Sequence, residues 1–280
     1  MVEVMPTKKN LDKISIIDQL RSIKIHRPLI HNITNYVAME ISANALLALG
    51  ASPIMTAAVD ELEEVVNLAQ ALVINIGTLD TELLNSISLA QKLAVKLGLP
   101  IVFDPVGVGA SRLRYQAAEQ ILQQGVHIVR GNASEILFLA NKRNANANKG
   151  VDSLHESQEA IDAARLINQR YQCCVAISGA TDYVVDGQQI TTSSHGSEYA
   201  TRVTGMGCVS TALIGAFAAV NPDRVSATSH AMVAFGLAQE YAAKLAQGPG
   251  TFLPHVLDGL YNLSEQPSPQ LKIIQHYAVQ

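Results

Sequence analysis

The chain predicts an α/β fold: a mostly parallel central sheet with helices on both faces, in three layers. Two observations carry this expectation. Short apolar runs of strand length alternate along the chain with longer stretches of helical spacing. The strand-like runs are near-continuous rather than alternating, as a sheet covered on both faces requires. The size agrees, since 280 residues with 48% hydrophobic content can bury a large core, and α/β units of this length often form one domain. One domain over residues 1–280 is expected.

Taken in order, Leu11 to Lys24 has apolar residues at helical spacing before Pro28. Tyr36 to Leu49 is a second helix, stopped by Gly50. Asp60 is placed to cap a helix over Glu61 to Gln70, and Ala71 to Gly77 reads as a strand. The helix Thr81 to Leu97 closes on Gly98, and the strand Ile101 to Val106 follows. Arg112 to Gln124 is helical up to Gly125, Val126 to Gly131 is a strand, and a helix begins at Asn132 or Ala133. The polar, Asn-rich stretch Lys142 to Ser153 reads as an exposed loop. Gln158 to Tyr171 is helical and Cys173 to Gly179 a strand. Tyr183 to Ile190 differs, because Asp186-Gly187 is a hairpin signal. An antiparallel edge therefore follows the parallel core. From Gly207 to about Leu263 the chain reads as mainly helical.

Several function classes are disfavoured. The formal net charge is −4 and basic residues form no long cluster, so nucleic acid is not an expected partner. The first ten residues lack the apolar segment of a secretory signal. No apolar run approaches the ~18 residues of a membrane span. The three cysteines, Cys173, Cys174 and Cys208, form no CxxC pair, which argues against a disulfide framework or a structural zinc site. A cytoplasmic soluble protein is the expectation. There is no G-x-x-x-x-G-K-[ST] loop and no G-x-S-x-G elbow, and Arg112 stands where a dinucleotide fingerprint needs its third glycine.

The most informative stretch is Thr204-Gly-Met-Gly-Cys208, set before the small-residue apolar run Val209 to Val220. If that run is a helix, the pentapeptide is its first turn. The amides there have no intrahelical partner and the macrodipole makes that end electropositive. Glycines let the backbone approach a ligand, so an anion such as a transferring phosphoryl group fits. The same field is expected to lower the pKa of Cys208 and favour its thiolate. The competing reading is a helix cap beside a buried cysteine.

In such a sheet, ligands bind outside the C-terminal ends of the strands. The polar residues just past those ends are Asn75 and Gly77, Asp104, Arg130-Gly131-Asn132 with Glu135, and Ser178-Gly179. Asp104 and Glu135 suit magnesium, directly or through its waters. Arg130 offers a fork for phosphate, and Ser178 a hydroxyl. Each also has a purely structural reading: Asp104 before Pro105 as a turn, Asn132 as a helix cap, Glu135 as the far half of a capping box. Together with the anion site they favour a nucleotide.

Pro28-Leu-Ile-His-Asn-Ile-Thr-Asn35, Leu46 to Met55, Asn75-Ile-Gly-Thr-Leu79, Asp104-Pro-Val-Gly107, Arg130-Gly-Asn-Ala-Ser-Glu135 and Val203-Thr-Gly-Met-Gly-Cys208 together resemble the hydroxyethylthiazole kinases. The matches keep their order from about residue 28 to Phe252, nearly the whole chain. The resemblance implies a ribokinase-like fold with no separate lid domain and ATP-dependent phosphorylation of 5-(2-hydroxyethyl)-4-methylthiazole, a step of thiamine salvage. It implies a homotrimer with thiazole sites between subunits. By the same resemblance Asn35, Met55 and Gly205 contact the thiazole, and Arg130, Ser178 and Asn132 bind ATP. Asp104 and Glu135 serve Mg2+ and the phosphates. The amides of Gly205, Met206 and Gly207 form the anion hole, and Cys208 stands in the base position.

Two departures are visible. Ser178 replaces a threonine common in relatives, keeping the hydroxyl. Met206 stands between the glycines where a smaller residue is usual, so its side chain must point away from the phosphoryl path. The alternatives are a ribokinase-like kinase for another small alcohol, such as hydroxymethylpyrimidine or pyridoxal, a nucleotide-dependent repair dehydratase on the same fold, and a non-catalytic thiazole-binding protein.

Overall fold

The protein is described by a computed structural model covering residues 15–141, 153–265 and 275–278. In chain order the helices are α1 (Ile16–His26), α2 (Met39–Leu49), α3 (Leu62–Leu68), α4 (Thr81–Leu97), α5 (Arg112–Gln124), α6 (Ala133–Asn141), α7 (Ser153–Tyr171), α8 (Met206–Ala218), α9 (Arg224–Leu245) and α10 (Pro249–Glu265). The strands are β1 (Leu29–Ile33), β2 (Ser52–Ile54), β3 (Ala71–Asn75), β4 (Ile101–Asp104), β5 (Ile128–Asn132), β6 (Cys174–Ser178), β7 (Asp182–Asp186), β8 (Gln189–Ser193) and β9 (Gln275–Ala278). The order across the sheet is β2-β1-β3-β4-β5-β6-β7-β8-β9. Strands β1 to β6 pair in parallel and β6 to β9 antiparallel.

Two cores lie on opposite faces of the sheet, because successive strand residues point to opposite sides. Ile30, Val73, Val102, Ile128 and Cys174 face α1, α2, α8, α9 and α10. Leu72, Ile74, Phe103, Val129 and Val175 face α3 to α7. The three layers are those the sequence predicts. Cys173 and Cys174 end up one in each core, both free and buried; burial pushes the Cys173 thiol up to about 12.

Some boundaries differ from the sequence reading. Asp60 does not cap a helix by its side chain: it sits inside a 3-10 turn, Val59–Glu61, and α3 starts at Leu62. The strand expected to reach Val106 ends at Asp104, since Pro105 has no N–H to give a ladder. The hairpin turn is Gly187-Gln188, because Asp186 still pairs with Gln189. Asp186 is held there by two hydrogen bonds from Arg224, at 2.6 and 2.9 Å. Strands β1, β2 and β9 carry no strand assignment in the sequence reading. Leu11 to Ile14 and the Asn-rich stretch 142–152 lie outside the described residues. Among the described residues no helix is long and apolar enough to cross a membrane.

Candidate active site

The sheet topology decides where polar groups collect. From β1 the chain moves outward to β2, then returns past β1 to β3 and continues the other way. The crevice at the C-terminal ends of β1 and β3 is thus the topological switch point, the place where open α/β sheets bind ligands. Asn35, just past β1, and Asn75, at the end of β3, bridge that crevice: Asn35 Nδ2 donates to Asn75 Oδ1 at 2.9 Å. The same amide donates to Cys208 Sγ at 3.2 Å. Asn75 Nδ2 in turn donates to Asp104 Oδ2 at 3.0 Å, and Thr211 Oγ1 donates to that oxygen at 2.7 Å. Arg130 Nη1 lies 4.0 Å from it, and Arg130 Nη2 donates to Ser178 Oγ at 2.6 Å. Asn35, Cys208, Asn75, Asp104, Arg130 and Ser178 thus form one connected row.

Helix α8 starts over this row. Gly205 is its N-cap at φ +85°, a conformation that favours glycine. The first intrahelical bond runs from Val209 N to Gly205 O at 2.9 Å, so the amides of Met206, Gly207 and Cys208 precede the ladder. A Cβ on Gly207 would lie 2.5 Å from Arg130 Nη1; its absence lets the guanidinium rest against the helix's first turn. Met206 packs its buried side chain into the core and also lines a neighbouring cavity.

Electrostatics corrects one expectation. The Cys208 thiol is raised, not lowered: burial pushes it up and the Asp104 carboxylate adds to this, against hydrogen bonds from Asn35 and Asn75 and the charge of Arg130. Burial likewise lifts Asp104 from 3.8 to about 6, although Arg130, Thr211 and Asn75 all favour its ionised form. Asp104 Oδ1 and Arg130 Nε are both buried without a hydrogen-bond partner in the protein.

Glu135 is placed differently from Asp104. Its Oε1 accepts from Gly107 N and its Oε2 from Asn132 N, both at 2.9 Å, while Asn132 Oδ1 accepts from Glu135 N at 2.9 Å. This is the capping box that the sequence left open. Among the described residues no three His, Cys, Asp or Glu side chains gather as a metal-binding group.

Beside the row, a cavity of about 530 Å³ runs from Arg130, Ser178 and Gly207 to the segment Ser194–Glu198 and the inner face of α9. This is large enough for a nucleotide-sized ligand.

The hydroxyethylthiazole kinase family model matches residues 20–266. A hydroxyethylthiazole kinase of Syntrophus aciditrophicus is 47% identical over 88% of this chain and 92% of its own. One of Pyrococcus furiosus is 44% identical over 94% of this chain and 98% of its own. The chain belongs to the hydroxyethylthiazole kinase family. The structure of a hydroxyethylthiazole kinase from Pyrococcus horikoshii OT3 superposes with a TM-score of 0.83 at 41% identity, covering 94% of this chain and 98% of that one. A ribokinase-like protein of Enterococcus faecalis, 13% identical with a TM-score of 0.65 over 89% and 94% of the two chains, shares the fold.

Of the site residues expected of a hydroxyethylthiazole kinase, Met55 stands apart from the connected row. It follows the edge strand β2, half-buried. What steadies that segment is His31, wholly buried in β1, whose Nε2 donates to the Thr56 carbonyl at 3.0 Å. Burial lowers its pKa. Sequence reasoning missed Thr211 and Arg114. Arg114 Nη1 donates to the Ile76 and Val106 carbonyls at 2.9 and 2.7 Å, and Nη2 to the Gly77 carbonyl, joining the loops after β3 and β4. An arginine in a helix's first turn, against the dipole, was the available signal.

Proposed function

We propose that this member of the hydroxyethylthiazole kinase family transfers the γ-phosphoryl group of ATP to the hydroxyl of 5-(2-hydroxyethyl)-4-methylthiazole. The observation that carries the reading is the junction at Cys208. The switch-point crevice with Asn35 lies on one side of it, and the Arg130-Ser178-Gly207 end of the large cavity on the other. A phosphoryl donor in the cavity would meet an alcohol in the crevice at the start of α8.

In this reading Arg130 and Ser178 hold the phosphates, with Asn132 fixing the turn beside them. The amides of Met206 and Gly207 stabilise the phosphoryl oxygens as charge develops, and Gly205 shapes the turn. Little covalent work is asked of the protein in phosphoryl transfer, so positioning and charge stabilisation dominate. Cys208 is a thiol at neutral pH and therefore holds the attacking hydroxyl in line rather than waiting as a thiolate base. Asn35 fixes the sulfur, and Asn35 and Met55 border the thiazole.

The residues fit a magnesium ion held chiefly by phosphate and water, which needs only one or two carboxylates. Asp104, with Oδ1 unpartnered, would provide one, and Glu135 would act through water because both its oxygens accept backbone amides. Magnesium would neutralise phosphate charge when bound.

Exposed Tyr36, Val37, Leu47, Val59 and Leu68 lie on or near the elements flanking edge strand β2, and support assembly through this side into a homotrimer with Asn35 and Met55 near the boundary. Light scattering should give three chains; an active monomer would refute shared sites.

The deciding test is ATP turnover against hydroxyethylthiazole, hydroxymethylpyrimidine and pyridoxal. Hydroxyethylthiazole should lead in kcat/KM by at least tenfold. A lead for either of the others would move the acceptor assignment to that alcohol.

A further inference from the structure

The far end of the cavity is built to a pattern that phosphate binding does not need. Met232, Phe235, Gly236 and Gln239 of α9 all line it. Their spacing of three, four and seven residues puts them on one helical face. Met232 and Phe235 are 3% and 4% exposed, an apolar wall suited to a flat ring. Gln239 is only 8% exposed, and its side-chain amide makes no hydrogen bond with any described residue. The residue is largely buried and lines the cavity, so its unpartnered amide is available there to hydrogen-bond a ligand.

The wall opposite is held tightly against α9. Glu240 Oε1 accepts from the His195 ring at 2.8 Å and from Gly196 N at 3.4 Å. A Cβ on Gly236 would fall 2.6 to 2.8 Å from His195 atoms, so glycine lets that segment close onto the helix. Gly196 stands at φ +146°, and a Cβ there would lie 3.6 Å from Gln239 Oε1. The Gly196 backbone thus borders the Gln239 amide.

We infer that Gln239 reads the adenine base of the phosphoryl donor. Its carbonyl accepts from the 6-amino group while its NH2 donates to the adjacent ring nitrogen, a pairing that an amide makes with adenine in general. The inference rests on the nucleotide reading of the cavity and adds the group within it that selects the base.

The test measures binding of ATP and of purine riboside triphosphate, which lacks only the 6-amino group, to the full chain by calorimetry. The parent should favour ATP by about 3- to 10-fold, the scale of one net hydrogen bond. Gln239→Met, similar in length but without the amide, should bind the two nucleotides alike, with hydroxyethylthiazole binding unchanged. Gln239→Leu provides a second variant should the first fail to fold. A parent that binds both nucleotides equally, or a variant that keeps the parent's preference, overturns the inference. Arg130→Ala is the separate control: if ATP binds the parent but this variant binds it equally well, the nucleotide reading of the cavity fails, and the role of Gln239 with it.

Discussion

Replacing Asp104 with asparagine should make the protein more stable at pH 8 and less active. Asp104 is wholly buried. Its Oδ2 receives hydrogen bonds from Asn75 and Thr211, at 3.0 and 2.7 Å, and Arg130 lies 4.0 Å away. Burial nevertheless lifts the carboxyl from 3.8 to about 6. A shift of roughly two units corresponds to about 3 kcal/mol. The sign follows from linkage. The folded chain binds this proton more tightly than the unfolded one, so the contribution is fully present below about pH 3.8. It is lost as pH rises through about 6. Above that range the ionised carboxylate weighs against folding.

Asparagine removes the charge but sets an NH2 or a carbonyl where Oδ1 has no partner. That returns about 1–3 kcal/mol of desolvation cost. The net gain at pH 8 is on the order of 1 kcal/mol, and near pH 4 the asparagine variant should be the weaker protein. Urea unfolding of parent and variant from pH 4 to 8.5 tests this, with the stability difference changing sign at about pH 5. Turnover should fall strongly in the same variant, because in the proposed reading the carboxylate that weakens the fold is the one offered to the phosphates and their cation. A variant less stable than the parent at every pH would refute the reasoning: Arg130 would then already hold Asp104 ionised.

Other substitutions separate the roles further. Gly207→Ala drives a methyl group into Arg130 Nη1, 2.5 Å from the ideal Cβ position. Hydrogen bonds to charged groups contribute about 1.5–3 kcal/mol, so ATP binding should weaken by at least tenfold while equilibrium thiazole binding stays; the converse pattern would reverse the assignment. Cys208→Ala should cost less than the ~10²–10⁴-fold of a positioned general base, since burial keeps the thiol protonated. A larger fall under single-turnover conditions, together with an alkaline rate limb that vanishes in the variant, would restore Cys208 as a base. Arg224→Ala removes two hydrogen bonds to Asp186 and one at 2.7 Å to the Gln172 carbonyl. It should lower unfolding stability by about 1–3 kcal/mol without changing kcat, because Asp186 lies at the end of the sheet opposite the site; a change in kcat would sink that separation.

The sequence shows the row of strand-end residues because parallel topology gathers them whatever their distance along the chain. It does not show Thr211 or Arg114, which work from within helices and read there as helix interior and solvated face. Strand β1 is hidden by composition: His31 and Asn32 interrupt its apolar run, yet both are buried. Strand β2 has three residues and β9 pairs across a long sequence separation, so neither has a local period to read. The expected thiolate failed for a related reason. The helix-end field is a local property visible in Gly205 to Cys208, whereas burial and the facing Asp104 depend on the assembled sheet.

The unpartnered polar atoms carry the last step. Most of a protein's buried polar groups find partners, so exceptions ask for a cause. In the centre of this site two exceptions have opposite charge: Asp104 Oδ1 and Arg130 Nε. They do not pair with each other: the 4.0 Å ion pair joins Nη1 to Oδ2, while Arg130 turns its Nη2 to Ser178 and Asp104 gives Oδ2 to Asn75 and Thr211. Burial of the carboxylate has a cost in stability that the raised Asp104 pKa records, and Arg130 offsets only part of it. A phosphate satisfies an arginine and its cation satisfies a carboxylate. In the proposed reading the pair would be completed by the two halves of a metal–nucleotide complex, which accounts for a carboxylate that weakens the fold standing beside the cavity.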